Sequence, residues 1–252
     1  MLSLTLIASA LSGVPAAPEW PFEVVCEGQY EYHLQGVATN GVDAIYWSFT
    51  TVLVKTDLEG KVLARVEGPS HHGDLCYANG RVYVAWSNFF NKPGADGQVW
   101  VYDADTLELL EKHSVPEATF GAGGMDYANG HFYVIGGLPT EYTENYVFEY
   151  DEQFKHVKTH VIPSGHTHLG IQTACFHDGR WWFGCYSRDG NPGLLVCDAE
   201  MKLLSMHEVS PSIGLIGWGE GRFLMAKHFG EKYQAKLLPM RVDEVAGLVR
   251  EG

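Results

Sequence analysis

Five tight turns recur along this chain at nearly even intervals, and they constrain the fold more than any other feature. They are Thr39-Asn40-Gly41, Ala78-Asn79-Gly80, Ala128-Asn129-Gly130, His177-Asp178-Gly179 and Gly219-Glu220-Gly221, with glycines 39, 50, 49 and 42 residues apart. Asn-Gly or Asp-Gly between apolar runs marks a two-residue β-hairpin, because both central residues need positive φ. The context repeats as well, since Tyr77-Ala78-Asn79-Gly80 returns as Tyr127-Ala128-Asn129-Gly130. What precedes it differs: the first copy carries His71-His72-Gly73-Asp74 where the second carries Gly121-Ala122-Gly123-Gly124. A shared scaffold with a site built on one end explains that contrast.

After each turn comes a β-rich segment: Ala44–Phe49, Arg81–Trp86, His131–Gly136, Arg180–Tyr186 and Arg222–His228. A third segment follows and ends in an acid: Val52–Asp57, Val99–Asp103, Val147–Asp151 and Leu194–Asp198. Lys61–Val66, Leu109–Val115, Lys155–Ile162 and Leu203–Val209 then close each unit as a fourth strand. Four antiparallel strands per repeat of about 40–50 residues is the pattern of a β-propeller blade. Val101-Tyr102-Asp103-Ala104-Asp105-Thr106-Leu107 in particular resembles the broad propeller superfamily of YVTN and NHL-type repeats, and the resemblance covers residues 22–245. It implies an all-β, five-bladed ring. The strand-like stretch Phe22–Glu31 is expected to close that ring as the outer strand of the last blade, because an unclosed terminal blade exposes edge amides. Asp243–Gly252 reads as a short helix or an extra strand.

The chain has 252 residues, enough for a large core, and no Pro-, Gly- or Ser-rich linker divides it, so 17–252 reads as one domain. Its net charge of −14 argues against an electrostatic grip on nucleic acid or anionic lipid. Leu2–Leu11 is apolar and precedes Val14-Pro15-Ala16, which suits signal-peptidase cleavage after Ala16 and a secreted or periplasmic protein. Ten residues are too few to span a bilayer. Cys26, Cys76, Cys175, Cys185 and Cys197 form no metal-type CxxC pair and read as free core thiols. A monomer is expected.

In a propeller the loops entering inner strands and those leaving second strands meet at one mouth of the central channel. Eight residues before successive turn glycines stand His33 and His72, and six before stand Gln35 and Asp74. Period-two alternation puts each pair on one side of its strand. His166, His168 and Gln172 enter the fourth blade at the same end, and Lys227-His228 ends a second strand there. His33, His72, His168 and His228 are therefore candidate ligands for Zn²⁺, Mn²⁺ or a similar divalent ion. The plainer alternative is a set of hydrogen-bonding groups lining a wet funnel. Gly121-Ala122-Gly123-Gly124 in the third blade would leave room for a ligand.

Asp74, Tyr186 and Lys227 are the candidate acid–base residues, and Gln35, His71, Trp86, Gln172 and Arg188 the candidate substrate contacts. Phe89, Phe90, Tyr142 and Tyr146 add aromatic faces suited to stacking on sugar rings. Phosphate loops, dinucleotide fingerprints and nucleophile elbows are absent from the sequence. Two functions fit. One is an exported metal-assisted lyase or hydrolase acting on a sugar-like small molecule or oligosaccharide. The other is a propeller that binds a glycan or a protein without turnover.

Overall fold

A computed structural model describes residues 18–230 and 232–252. The expected signal peptide lies outside the described residues. Strand β1 (Val24–Val25) comes first, followed by blade one: β2 (Leu34–Thr39), β3 (Ile45–Phe49), β4 (Val52–Thr56) and β5 (Val62–Glu67). Blade two is β6 (His72–Ala78), β7 (Arg81–Ser87), β8 (Gly97–Asp103) and β9 (Leu109–Ser114). Blade three is β10 (Ala122–Ala128), β11 (His131–Gly136), β12 (Asn145–Tyr150) and β13 (His156–Ile162). Blade four is β14 (His168–His177), β15 (Arg180–Tyr186), β16 (Leu194–Asp198) and β17 (Leu203–His207). Blade five is β18 (Leu215–Gly217), β19 (Arg222–Phe229), β20 (Gln234–Asp243) and β21 (Gly247–Arg250).

Each blade is an antiparallel sheet, and the inner strands β2, β6, β10, β14 and β18 line the channel. The two-residue hairpin holds where both central residues take positive φ: Asn79-Gly80, Asn129-Gly130 and Asp178-Gly179. In blade one the pairing Thr39↔Ile45 leaves a five-residue loop instead. There Asn40 Oδ1 accepts the N–H groups of Val42, Asp43 and Ala44, an Asx-type turn that a hairpin cannot hold. Blade five is also longer, pairing Gly217↔Phe223.

The acids ending the third strands organise the outer turns. Asp57 Oδ1 accepts from Glu59 and Lys61, Asp103 Oδ1 from Asp105 and Thr106, and Asp198 Oδ1 from Glu200 and Lys202. Asp243 repeats this with Val245 and Ala246, so Asp243–Gly252 forms a turn and a strand, not a helix. Ring closure by the N-terminal strand is present, and it is shared. Val24 and Val25 pair with Leu237 and Lys236, whereas β21 pairs with Met240–Asp243 further along the same strand. Pro239, which has no N–H to give, stands between the two partners.

Five apolar layers fill the gaps between neighbouring blades. Trp47, Phe49, Leu224 and Leu237 join blades one and five. Tyr46, Leu53, Val84 and Tyr102 join one and two. Tyr83, Val99, Phe132 and Tyr150 join two and three, and similar layers join three to four and four to five. Burying one such large side chain contributes roughly 1.5–3 kcal/mol. All five cysteines are buried and free.

Candidate functional site

Inner strands bond a neighbour on one edge only, so their other edge directs N–H and C=O groups at the channel. A buried N–H must find an acceptor. Asp74 supplies one. It is 1% exposed, and its Oδ2 accepts the N–H of Ala174 across the channel at 3.0 Å. Space for it is made by glycine. A Cβ on Gly36 would lie 2.0 Å from Asp74 Oδ1, and one on Gly124 would lie 2.7 Å from Asp74 Cβ. Burial pushes the Asp74 carboxyl well above the usual range, against the pull of N–H donors from Ala174, Leu75 and Val37. Asp74 is thus a tie between blades one, two and four, lying below the mouth, not a group presented to a ligand.

Above this layer a cavity of about 210 Å³ opens at the mouth, lined among others by His33, Gln35, His71, Leu169, Gln172 and Tyr186. Below it a second cavity of about 140 Å³ contains Asp126, Cys76, Cys175 and His177. The Asp126 carboxylate accepts the N–H groups of Tyr127 and Phe176 at 2.8 and 2.6 Å, and burial raises its pKa to about 7.

The upper cavity is a product of β-bulges. Register shifts interrupt β2 between Leu34 and Gly36, β6 between His72 and Leu75, β10 between Ala122 and Gly124, and β14 between His168 and Thr173. The residues so released from pairing are Gln35, Gly73, Asp74, Gly123, Leu169, Gly170 and Gln172. Bulges re-aim side chains in this way, and five of those seven residues line the cavity. His71 and Leu169, both in its wall, hold left-handed backbone with φ of 72° and 60°. Trp86 does not line the cavity; its indole N–H donates to Ser70 O at 2.9 Å and fixes the approach to His71.

The same bulges separate the histidines that alternation had paired. His72 borders the cavity, but its ring is fully buried between blades one and two, with Nε2 3.0 Å from the Tyr102 hydroxyl and Nδ1 without a partner. Burial lowers its pKa to about 4. His228 Nε2 accepts the Leu34 N–H at 2.9 Å, so that nitrogen is committed to closing blade five onto blade one. The His33 and His228 ring centroids stand 6.4 Å apart, while His168 lies beside Tyr186 in an adjoining cleft with Arg188 and Ser210. The four imidazoles do not converge, and no metal-holding group of three or more His, Cys, Asp or Glu forms among the described residues. His131 and His160 both bond Glu149 on blade three, away from the mouth.

Lys227 is half-buried on β19 outside the cavity, and Arg188 is exposed beside Asp189 at 3.5 Å. The room expected from the blade-three glycines is filled from within the chain, since Phe90 packs against Gly123 and Asp74 against Gly124. The upper cavity's lining carries no Asp, Glu, Lys or Arg. Burial lowers the His33 pKa and raises that of Tyr186. Gln172 donates to Leu169 O at 2.8 Å, which orients its amide.

No protein family model matches the chain, and no curated protein matches it in sequence. Solved structures do. A chain of the nidogen–laminin complex is 9% identical, with 76% of this chain and 70% of that one covered and a TM-score of 0.50. The Dos1 propeller is 15% identical with a TM-score of 0.47, covering 90% and 63%. BamB from Moraxella catarrhalis is 14% identical with a TM-score of 0.40, and the match spans 82% of this chain but only 58% of BamB. At such identities only the fold is shared. Its five four-stranded blades, their repeated turns and its closure by both ends identify the chain as a five-bladed β-propeller.

Proposed function

We propose that this chain is an exported binding propeller that takes one compact, uncharged, hydroxyl-bearing group, such as a single sugar residue of a glycan, at the upper mouth. The observation that carries this is the cavity's lining. Neutral imidazole from His33, amides from Gln35 and Gln172 and the phenol of Tyr186 are set among Leu169, Phe90 and glycine backbone. A few oriented polar groups in a largely apolar wall read hydroxyls while the wall meets C–H faces. At about 210 Å³ the cavity is small for a drug-sized ligand, which favours one ring. Export rests on the apolar leader Leu2–Leu11 and the Val14-Pro15-Ala16 junction.

Turnover by a metal-assisted lyase or hydrolase is less well supported. His72 and His228 spend Nε2 inside the chain, and Asp74 and Lys227 stand outside the cavity. Calorimetric titration with neutral monosaccharides and the matching uronic acids tests the reading, together with assay of the same mixtures for altered sugar. Binding of a neutral member, at least about tenfold weakened in Gln35→Leu and without product, is the expected result. Preference for the uronates, or steady product formation, would overturn it.

A further inference from the structure

A second cleft lies off the axis, between the loop leaving blade two and the outer part of blade three. It measures about 280 Å³, and its walls include Glu117, Phe120, Tyr142, Tyr146 and Phe148. All four aromatics are half-buried, so each offers part of a ring to the space. Phe120 and Tyr142 stand 4.9 Å apart at 57°, an angled corner rather than a stack. Tyr146 and Phe148 are two apart on β12 and therefore face the same way.

Glu117 gives this box a charge. Its Oε2 accepts the Tyr150 hydroxyl at 2.7 Å, and it has no Lys, Arg or His partner within 4.0 Å among the described residues. A half-buried carboxylate needs compensation, and a cation between ring faces supplies it while gaining from the ring quadrupoles. A net charge of −14 draws cations and repels anions. One carboxylate stands among four rings, with only the Thr119 and tyrosine hydroxyls beside it, so ring surface dominates the cleft. The geometry points to an alkylammonium head group as the ligand of this cleft, with its methyl groups against Phe120, Tyr142, Tyr146 and Phe148 and its charge beside Glu117. This site is independent of the upper mouth.

Three probes decide it by titration calorimetry on the whole chain: choline, its uncharged isostere 3,3-dimethylbutan-1-ol, and a short peptide bearing trimethyllysine. Choline should bind at least about tenfold more tightly than the isostere, because the cation–ring and carboxylate attractions need the charge. Tyr142→Ala and Glu117→Gln should each weaken choline by about fivefold or more, with unchanged far-UV circular dichroism. The peptide separates the two sources of the head group: binding tighter than choline points to a methylated side chain, and weaker binding to a free small cation. Equal affinity for choline and the isostere would reduce the cleft to an apolar groove and overturn the assignment. So would choline binding unchanged in Tyr142→Ala, or no choline binding at all. Should Glu117→Gln lose its fold, the isostere and Tyr142→Ala still separate a cation site from an apolar groove.

Discussion

His228 and Asp74 show how polar residues at the channel work as fasteners for inner-strand edges. His228→Leu removes the acceptor for the Leu34 N–H and leaves that donor stranded. The expected loss is about 1–3 kcal/mol of unfolding free energy, read from urea midpoints at constant slope. Asp74→Ala strands the Ala174 N–H and opens a hole between Gly36 and Gly124, for an expected loss of about 2–4 kcal/mol. Asp74→Asn, which keeps an acceptor, should lose less. The sequence put His33, Gln35 and Gln172 at the mouth, and all three line the cavity there. It also placed His72 and His228 at that end of the channel, but not their direction. Counting by two assumes an unbroken ladder, and the bulge between His72 and Leu75 puts the imidazole between blades and the carboxylate in the channel.

Among the elements, the hairpins and acidic turns were legible because their chemistry is local. Asn79-Gly80 and Asn129-Gly130 take positive φ at both residues, whereas Asn40-Gly41 does so only at the glycine, and an aspartate that bonds two N–H groups ahead of itself needs no distant partner. Asp243 carried that signal too, as the end of a third strand like Asp57 and Asp103, yet its short tail hid the strand behind it. The bulges were not legible. They are fixed by what lies across the channel, such as the Gly123 carbonyl, which a Cβ on Gly73 would approach to 2.3 Å. Gly36→Ala is therefore expected to cost more than an ordinary strand substitution, about 2–4 kcal/mol, because its Cβ meets Asp74. Truncation after Asp243 removes β21 and bares the edge of β20. A lower melting temperature and concentration-dependent aggregation by light scattering should follow.

For the whole molecule, pH acts on Asp126 and His72 in opposite directions. The Asp126 pKa is raised to about 7 in the folded chain, so the stability it brings is full below about pH 4 and is lost as pH rises through 7. That of His72 is lowered to about 4, so its contribution is present above pH 6.5 and is lost as pH falls through 4. Asp126→Asn isolates the first effect. Wild-type stability minus that of the variant should fall by about 1–3 kcal/mol between pH 4 and pH 8, the lower mouth leaving part of Asp126 in water. A flat difference would mean that Asp126 titrates as it does in the unfolded chain.

The upper mouth, shaped by bulged inner strands, is proposed as the site of an uncharged ligand. Ring-nitrogen NMR of the twelve histidines during titration with a neutral sugar that binds in calorimetry tests it most directly. Resonances of His33 and His71, which line the cavity, should shift in proportion to occupancy, while those of His131 and His160 on blade three stay in place. Saturable shifts at His131 and His160 with none at His33 and His71 would put the ligand elsewhere and contradict the account.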